Sequence, residues 1–271
     1  MSDQSVTSVV DALLAASTTA AIALDQKEHR PTAAAEAQAW FDQHRDEVLA
    51  AAQNAHETGQ HELALSLDTN LDIYLAHGAD TATAARSAAR ALHSAQALGV
   101  TEVIYGRALA ASDAHRRHGD HEAAITTARH ALEVDHLPEM SRVRATYTLA
   151  MTLAWSGEHE QALPLYQQVI GQTSTLPVDL AAAAANGIAW TLAELGRAAE
   201  ALPYATRALD LAMATCDTNT VAAAHDTLGE VHTALGDISK ARSAYQDALT
   251  LYERIGYQVR IDQVQESLAR L

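Results

Sequence analysis

The chain of 271 residues has little of what stapled, metal-clustered or membrane-spanning proteins are built from. A single cysteine, Cys216, leaves no partner for an internal disulfide and excludes a multi-thiolate zinc site. That usage points to a reducing, cytoplasmic setting. Only five prolines interrupt the chain, and aromatic residues make up 4% against 48% hydrophobic residues. The apolar content is therefore mostly Ala and Leu, which lose little freedom in a helix, so an all-α fold is expected. Basic residues are scarce as well: 18 Lys and Arg stand against 34 Asp and Glu, a net charge of −16. Such a surface repels a phosphate backbone, and direct nucleic-acid binding is not expected. The nearest basic cluster, HRRHGDH at 115–121, reads as a solvated turn. The apolar stretch SVVDALLAASTTAAIALD carries Asp11 and has no basic residue before Lys27. It fits neither a signal segment nor a membrane span, and no membrane partner is expected.

Catalytic signatures are missing too. There is no Gly-x-Ser-x-Gly elbow, no phosphate loop and no Gly-x-Gly-x-x-Gly, so the expectation is a chain that is not an enzyme and carries no cofactor.

What is present is a period. Gly78, Gly119, Gly157, Gly196 and Gly236 each follow a helical run, at spacings of 41, 38, 39 and 40 residues. Self-similarity in this range marks a solenoid of helix pairs. With each glycine at position 15, position 20 is Ala124, Ala162, Ala201 and Ala241, and position 8 is Ser112, Ala150, Ala189 and Gly229. Small residues at both places let two antiparallel helices approach, while Leu149, Ile188, Leu153, Leu192, Tyr166 and Tyr245 fill around them.

HDTLGEVHTALGDISKARSAYQDALTLY at 225–252 carries Leu228-Gly229, Gly236-Asp237, Ala241, Tyr245 and Ala248, and on these residues the chain resembles a tetratricopeptide repeat (TPR) protein. Weaker units fall at 105–138, 143–176 and 182–215, where Ala128 and Ala205 replace the aromatic and no unit has a Trp at position 4. The resemblance covers roughly residues 40–256 and implies a right-handed superhelical solenoid of about thirteen helices. Residues 1–38 are read as an N-terminal helix and linker packing on the array, 39–256 as the repeat array and 257–271 as a C-terminal capping helix. Within that helix Val259, Ile261 or Val264, and Leu268 are expected to face inward. A period near 40 calls for longer helices or turns, as at 97–100, 214–217 and 254–257. Long-period units, together with AWFDQHRDEVLAAAQNAHETGQ, resemble the C-terminal repeat regions of actinobacterial transcription regulators. Those are the Streptomyces antibiotic regulatory protein family and the large ATPase regulators ending in LuxR-type domains. No helix-turn-helix pattern accompanies them here, so the resemblance implies a sensing or effector part.

Three stretches, GQHELAL, GDHEAAI and GEHEQAL, place His61, His121 and His159 just after a turn glycine. The glycine ends one helix, the polar residue caps the next, and Glu sits in the first turn near the positive end of the dipole. With one such histidine per unit, held apart by helix-packing distances, these read as punctuation and not as metal ligands. HETGQH at 56–61 departs from a zinc-protease signature, since its histidines are five apart and Gly59 breaks the helix between them. His115 and His118, three apart on one helical face, form the alternative metal site, with packing competing for His115. His225 and His232 fall at packing positions and read as satisfied core histidines.

In the TPR family a second stripe on each first helix, positions 2, 5, 9, 12 and 13, lines a concave groove that holds peptides or partner helices. Here that stripe carries Asp68 and Asp72, then Leu109, Asp113, Arg116 and Arg117. It continues with Arg144, Tyr147, Met151 and Trp155, then Asn186, Trp190 and Glu194, then Asp226 and Glu230. Large aromatics facing a groove are the usual anchors of binding energy, and Asn186 offers both donor and acceptor to a peptide backbone. The competing reading makes Tyr147, Met151 and Trp155, four apart, part of the core. With only Lys27 and Lys240, the chain lacks the lysine clamp that holds acidic C-termini in chaperone-type TPR domains. Arg116, Arg117 and Arg144 could meet one carboxylate, while the acids flank them to attract basic groups. The expected partner is a peptide or protein; alternatives are small-molecule binding, a metal-dependent enzyme using His115 and His118, and passive scaffolding through the convex face or caps.

Overall fold

A computed structural model of the chain describes residues 3–26, 31–76, 80–172, 176–215 and 217–271. Gly78, Lys27 and Cys216, used above, lie outside them. The described residues form thirteen helices and no strand. Helices α1 (Asp3–Asp25), α2 (Pro31–Glu57), α3 (His61–Leu75), α4 (Thr81–Leu98), α5 (Thr101–His118) and α6 (His121–Glu133) belong to one compact unit, Met1–Leu137. A second unit, Pro138–Leu271, holds α7 (Glu139–Trp155), α8 (His159–Gly171), α9 (Val178–Glu194), α10 (Ala198–Thr215), α11 (Thr218–Ala234), α12 (Ile238–Ile255) and α13 (Gln258–Arg270). Within each unit every helix packs on the next, and odd-numbered helices also touch: α1 on α3, α7 on α9, α9 on α11. This is the all-α stack of helix pairs that the spacing predicts.

The recurring turn is built as expected. Gly119 sits at φ 83°, a region only glycine enters without strain; its N–H donates to the Arg116 carbonyl (3.1 Å) and the Asp120 N–H to the His115 carbonyl (3.0 Å). Asp120 then accepts from the Ala123 N–H and caps α6. Gln60 and Glu158, expected to cap in the same way, make no such bond; Glu158 instead takes the side-chain amide of Gln161. A second difference concerns phase. Gly59 precedes Gly119 by one and a half periods, and it links α2 to α3, the end of one pair to the start of the next, whereas Gly119 joins the two helices of a pair. His61 therefore does not occupy the place that His121 and His159 occupy.

Small-against-large packing holds the pairs. Ala124, Ala162, Ala201 and Ala241 are fully buried, as are Ser112, Ala150 and Ala189, and Ser112 Oγ donates to the Ala124 carbonyl across the pair (2.9 Å). At Gly229 an added Cβ would fall 2.5 Å from the Tyr245 ring, so any side chain there displaces that ring. Tyr166 presses on Gly187 of the following pair, which binds neighbouring pairs together. The long period arises in both expected ways: α10 and α12 are 18 residues each, while the 13-residue α6 and α8 are followed by longer connections ending at Pro138 and Pro177.

At the N-terminal end, Leu13 and Leu14 of α1 pack on a core containing Phe41, Val48, Leu67 and Leu71. At the C-terminal end, Ile261 and Val264 are buried with Tyr245 and Tyr252, and Leu268 packs beside them. Val259, expected to face inward, is 63% exposed, because the buried stripe of α13 runs through 261, 264 and 268. Among the described residues no helix is long and apolar enough to cross a membrane.

Candidate ligand-binding face

The first helices of the second unit, α7, α9 and α11, present the predicted stripe on one side. Trp155, in the last turn of α7, is 38% exposed. Its ring centroid lies 5.4 Å from that of half-buried Trp190 on α9, so the two tryptophans read from adjacent repeats do meet. His159, at the start of α8, sets its ring edge on Trp190 at 5.6 Å, and its Nε2 lies 3.9 Å from a Glu194 oxygen. The punctuating histidine of this repeat thus buttresses the aromatic wall. Tyr147 and Met151 are half-buried, with Tyr147 5.8 Å from the Tyr166 ring. Arg144 is exposed. Asn186, one turn before Trp190, has a buried Oδ1 with no hydrogen-bond partner among the described residues.

Acids form the far side of this face. On α11, Asp226 and Glu230 are a turn apart, and burial acts on both. Burial holds the Asp226 carboxyl up at about 6 against the pull of Arg260. Burial, reinforced by the charges of Asp226 and Glu194, pushes Glu230 up to about 8. Arg260, from α13, is the residue that the sequence reading missed. Its guanidinium carbon lies 5.1 Å from the Trp155 ring centroid, and its Nη1 lies 4.0 Å from Asp226 Oδ2. Helix spacings of about 8–10 Å would carry α7 and α13 well apart along a flat row. Contact between their side chains means that this face curls inward across α7, α9, α11 and α13. It brings together an aromatic wall, a buried amide oxygen and an acidic floor, and a guanidinium lies between wall and floor.

In the first unit the stripe is arranged differently. Arg116 and Arg117 both turn to Asp113 on their own helix, at 2.5 and 3.0 Å, and Arg117 Nη1 also donates to the Ala76 carbonyl at 3.1 Å. The carboxylate they meet is thus the chain's own. Asp68, expected to line the groove, is fully buried instead: its carboxylate takes the Ser87 hydroxyl (2.8 Å) and two nitrogens of Arg90 on α4. Asp72 pairs with Arg107 at 2.8 Å, and burial still pushes it up to about 7.

The remaining histidines divide. His115 has a buried Nδ1 that approaches Asp120 no closer than 3.8 Å, and burial holds its pKa down; His118 Nδ1 lies 3.2 Å from Thr81 Oγ1. His225 Nδ1 is 3.8 Å from Asp247. His232, expected to be satisfied, has a buried Nδ1 without a hydrogen-bond partner among the described residues. A group of three that the sequence reading kept apart, His56, His61 and His93, comes together in the first unit.

Two segments of the chain, 142–214 and 179–254, match the family model of the tetratricopeptide repeat. They contain every residue of the concave face except Arg260. Solved structures agree over a longer stretch. The apo form of the quorum sensor NprR from B. thuringiensis aligns over 96% of this chain and 81% of its own, with a TM-score of 0.61 and 13% identity. BtubC from P. vanneervenii covers 78% of this chain and 92% of its own, with a TM-score of 0.58 and 18% identity. A Rap protein solved in complex with Competence and Sporulation Factor covers 82% and 69%, with a TM-score of 0.56 and 16% identity. At these identities the likeness is one of fold. No curated protein matches the chain in sequence.

Proposed function

We propose that the chain is a non-catalytic binding module that captures a peptide or protein segment bearing a basic side chain on the concave face of α7, α9 and α11. The observation that carries this reading is Arg260: the chain's own guanidinium lies on Trp155 and beside Asp226, which supports a face suited to cations. An incoming Lys or Arg would exchange with it, stack on the tryptophans and ionise the carboxyls beneath. The side-chain amide of Asn186 would accept from and donate to the ligand's backbone. Burying a carboxyl with its proton costs less than burying its charge, so an acidic floor of this kind is stable when empty and becomes a strong cation receptor when filled.

The regulatory part of the proposal rests on likeness. A quorum sensor and a Rap protein complexed with Competence and Sporulation Factor share the fold, and the long-period repeats resemble those of actinobacterial transcription regulators. Together they support a cytoplasmic sensor or effector role.

The test is a selection of random peptides on the wild-type protein, with counter-selection on Trp155→Ala/Trp190→Ala after circular dichroism has shown that the variant is folded. Enriched peptides should carry Lys or Arg and bind the variant at least about tenfold more weakly, as loss of aromatic anchors implies. Peptides that bind both proteins equally would remove this face from consideration.

A further inference from the structure

We propose that His56, His61 and His93 form a binding site for a divalent transition-metal ion of the zinc type. One ring nitrogen from each lies within 4.8 Å of the others. The ring centroids are 4.8 Å apart for His56 and His93, and 6.0 Å from His61 to each of the other two. Zinc–nitrogen bonds of about 2.0–2.1 Å in a tetrahedral site set ligand nitrogens about 3.3 Å apart, so closure asks for about 1.5 Å at most. His93 is exposed, so its ring is free to turn toward the other two.

The backbone prepares the site. His56 lies in the last turn of α2 and His61 is the first residue of α3; the turn between them is held by Gly59 N–H on the His56 carbonyl (3.1 Å) and Gln60 N–H on the Ala55 carbonyl (2.8 Å). This turn falls between helix pairs, and α4 brings a third histidine against it. The five-residue spacing that spoils a single-helix zinc motif suits a site folded around a turn. Surrounding groups fit ligation as well. His56 Nδ1 lies 3.2 Å from Ser94 Oγ, and donation there leaves the lone pair on Nε2, the usual outer-shell arrangement of a ligating histidine. His61 Nδ1 is buried and has no hydrogen-bond partner among the described residues. Arg90 is a cation close enough to act on His56. Arg90 itself is engaged by Asp68 and Gln53.

Three imidazoles and no thiolate suit Zn²⁺, Ni²⁺, Cu²⁺ or Co²⁺, and three protein ligands leave a coordination position for water or a ligand group. A bound ion would tie α2, α3 and α4 together at the junction of two helix pairs and stiffen that junction.

Protein free of any polyhistidine tag should be titrated with Co²⁺, followed by its visible absorption, and with Zn²⁺ by calorimetry. The expected result is one equivalent bound with a tetrahedral Co²⁺ spectrum. His93→Ala, which alters an exposed side chain, should bind at least about a hundredfold more weakly, and Ser94→Ala about tenfold more weakly. His118→Ala/His121→Ala should bind like the wild type. Equal affinity of the wild type and His93→Ala, loss of binding in His118→Ala/His121→Ala, or no stoichiometric binding of either ion would each overturn the proposal.

Discussion

The same two repeat positions carry acids in both units, and the molecule treats them in opposite ways. Asp68 and Asp72 of α3 correspond in the repeat to Asp226 and Glu230 of α11. In the first unit each acid has its own arginine, Arg90 at 2.5 Å and Arg107 at 2.8 Å. In the second unit one arginine, Arg260, stands 4.0 Å from Asp226, and Glu230 makes no ion pair among the described residues. Instead of a second arginine, the second unit has Trp155 and Trp190. A carboxylate answered at bonding distance from within the fold is a structural element. One left under-answered beneath an aromatic wall is what a receptor for cations requires.

The largest effect should come from breaking the answered pair. Asp68→Ala leaves Arg90 without its buried partner and should lower unfolding free energy by about 3–5 kcal/mol in chemical denaturation. The corresponding change in the second unit should act in the other direction. Glu230→Gln keeps the shape and removes a proton that the folded state holds to about pH 8, well above the ordinary range of an unfolded Glu. Between those limits the folded wild type binds more protons than the unfolded chain, so this residue's contribution falls as pH rises. The variant should match the wild type near pH 4 and be more stable by about 1–3 kcal/mol at pH 8. His56, His115 and His225, each held down by burial, add a trend of opposite sign around neutrality. They are common to both proteins and cancel in the difference. The smallest effect belongs to Arg117→Ala, which removes a half-exposed pair with Asp113 and a bond to the end of α3. It should cost about 0.5–1 kcal/mol and leave peptide binding unchanged.

How far the residues could be read in advance follows from the same contrast. The glycine period and the Ala124, Ala162, Ala201 and Ala241 series are local patterns, and they led directly to the helix pairs and their close approach. Trp155 and Trp190 were legible as neighbours because they share a stripe on consecutive first helices. Asp68 was misplaced because periodicity ranks faces of a helix but says nothing about the Ser87 and Arg90 that bury its carboxylate. Arg260 was invisible because its contact with Trp155 depends on the curl accumulated over four odd-numbered helices, and no spacing encodes that. The histidines were separated on the premise of one per unit, whereas Gly59 lies half a period out of phase and gathers His56, His61 and His93 from three different positions.

The acidic floor of the second unit is tested most directly by the affinity of one selected basic peptide between pH 5.5 and 8.5. Glu194, Asp226, Glu230, Arg260 and His159 all border that site, so the comparison is made with Asp226→Asn/Glu230→Gln and with His159→Gln as a control. The wild type should bind more tightly as pH rises, by at least about tenfold, as Asp226 and Glu230 give up their protons to receive the cation. His159→Gln, which removes a ring that buttresses Trp190, should bind more weakly throughout but keep the same rise with pH, and the double variant should bind weakly with a flat profile. Identical profiles in the wild type and the double variant would contradict the account.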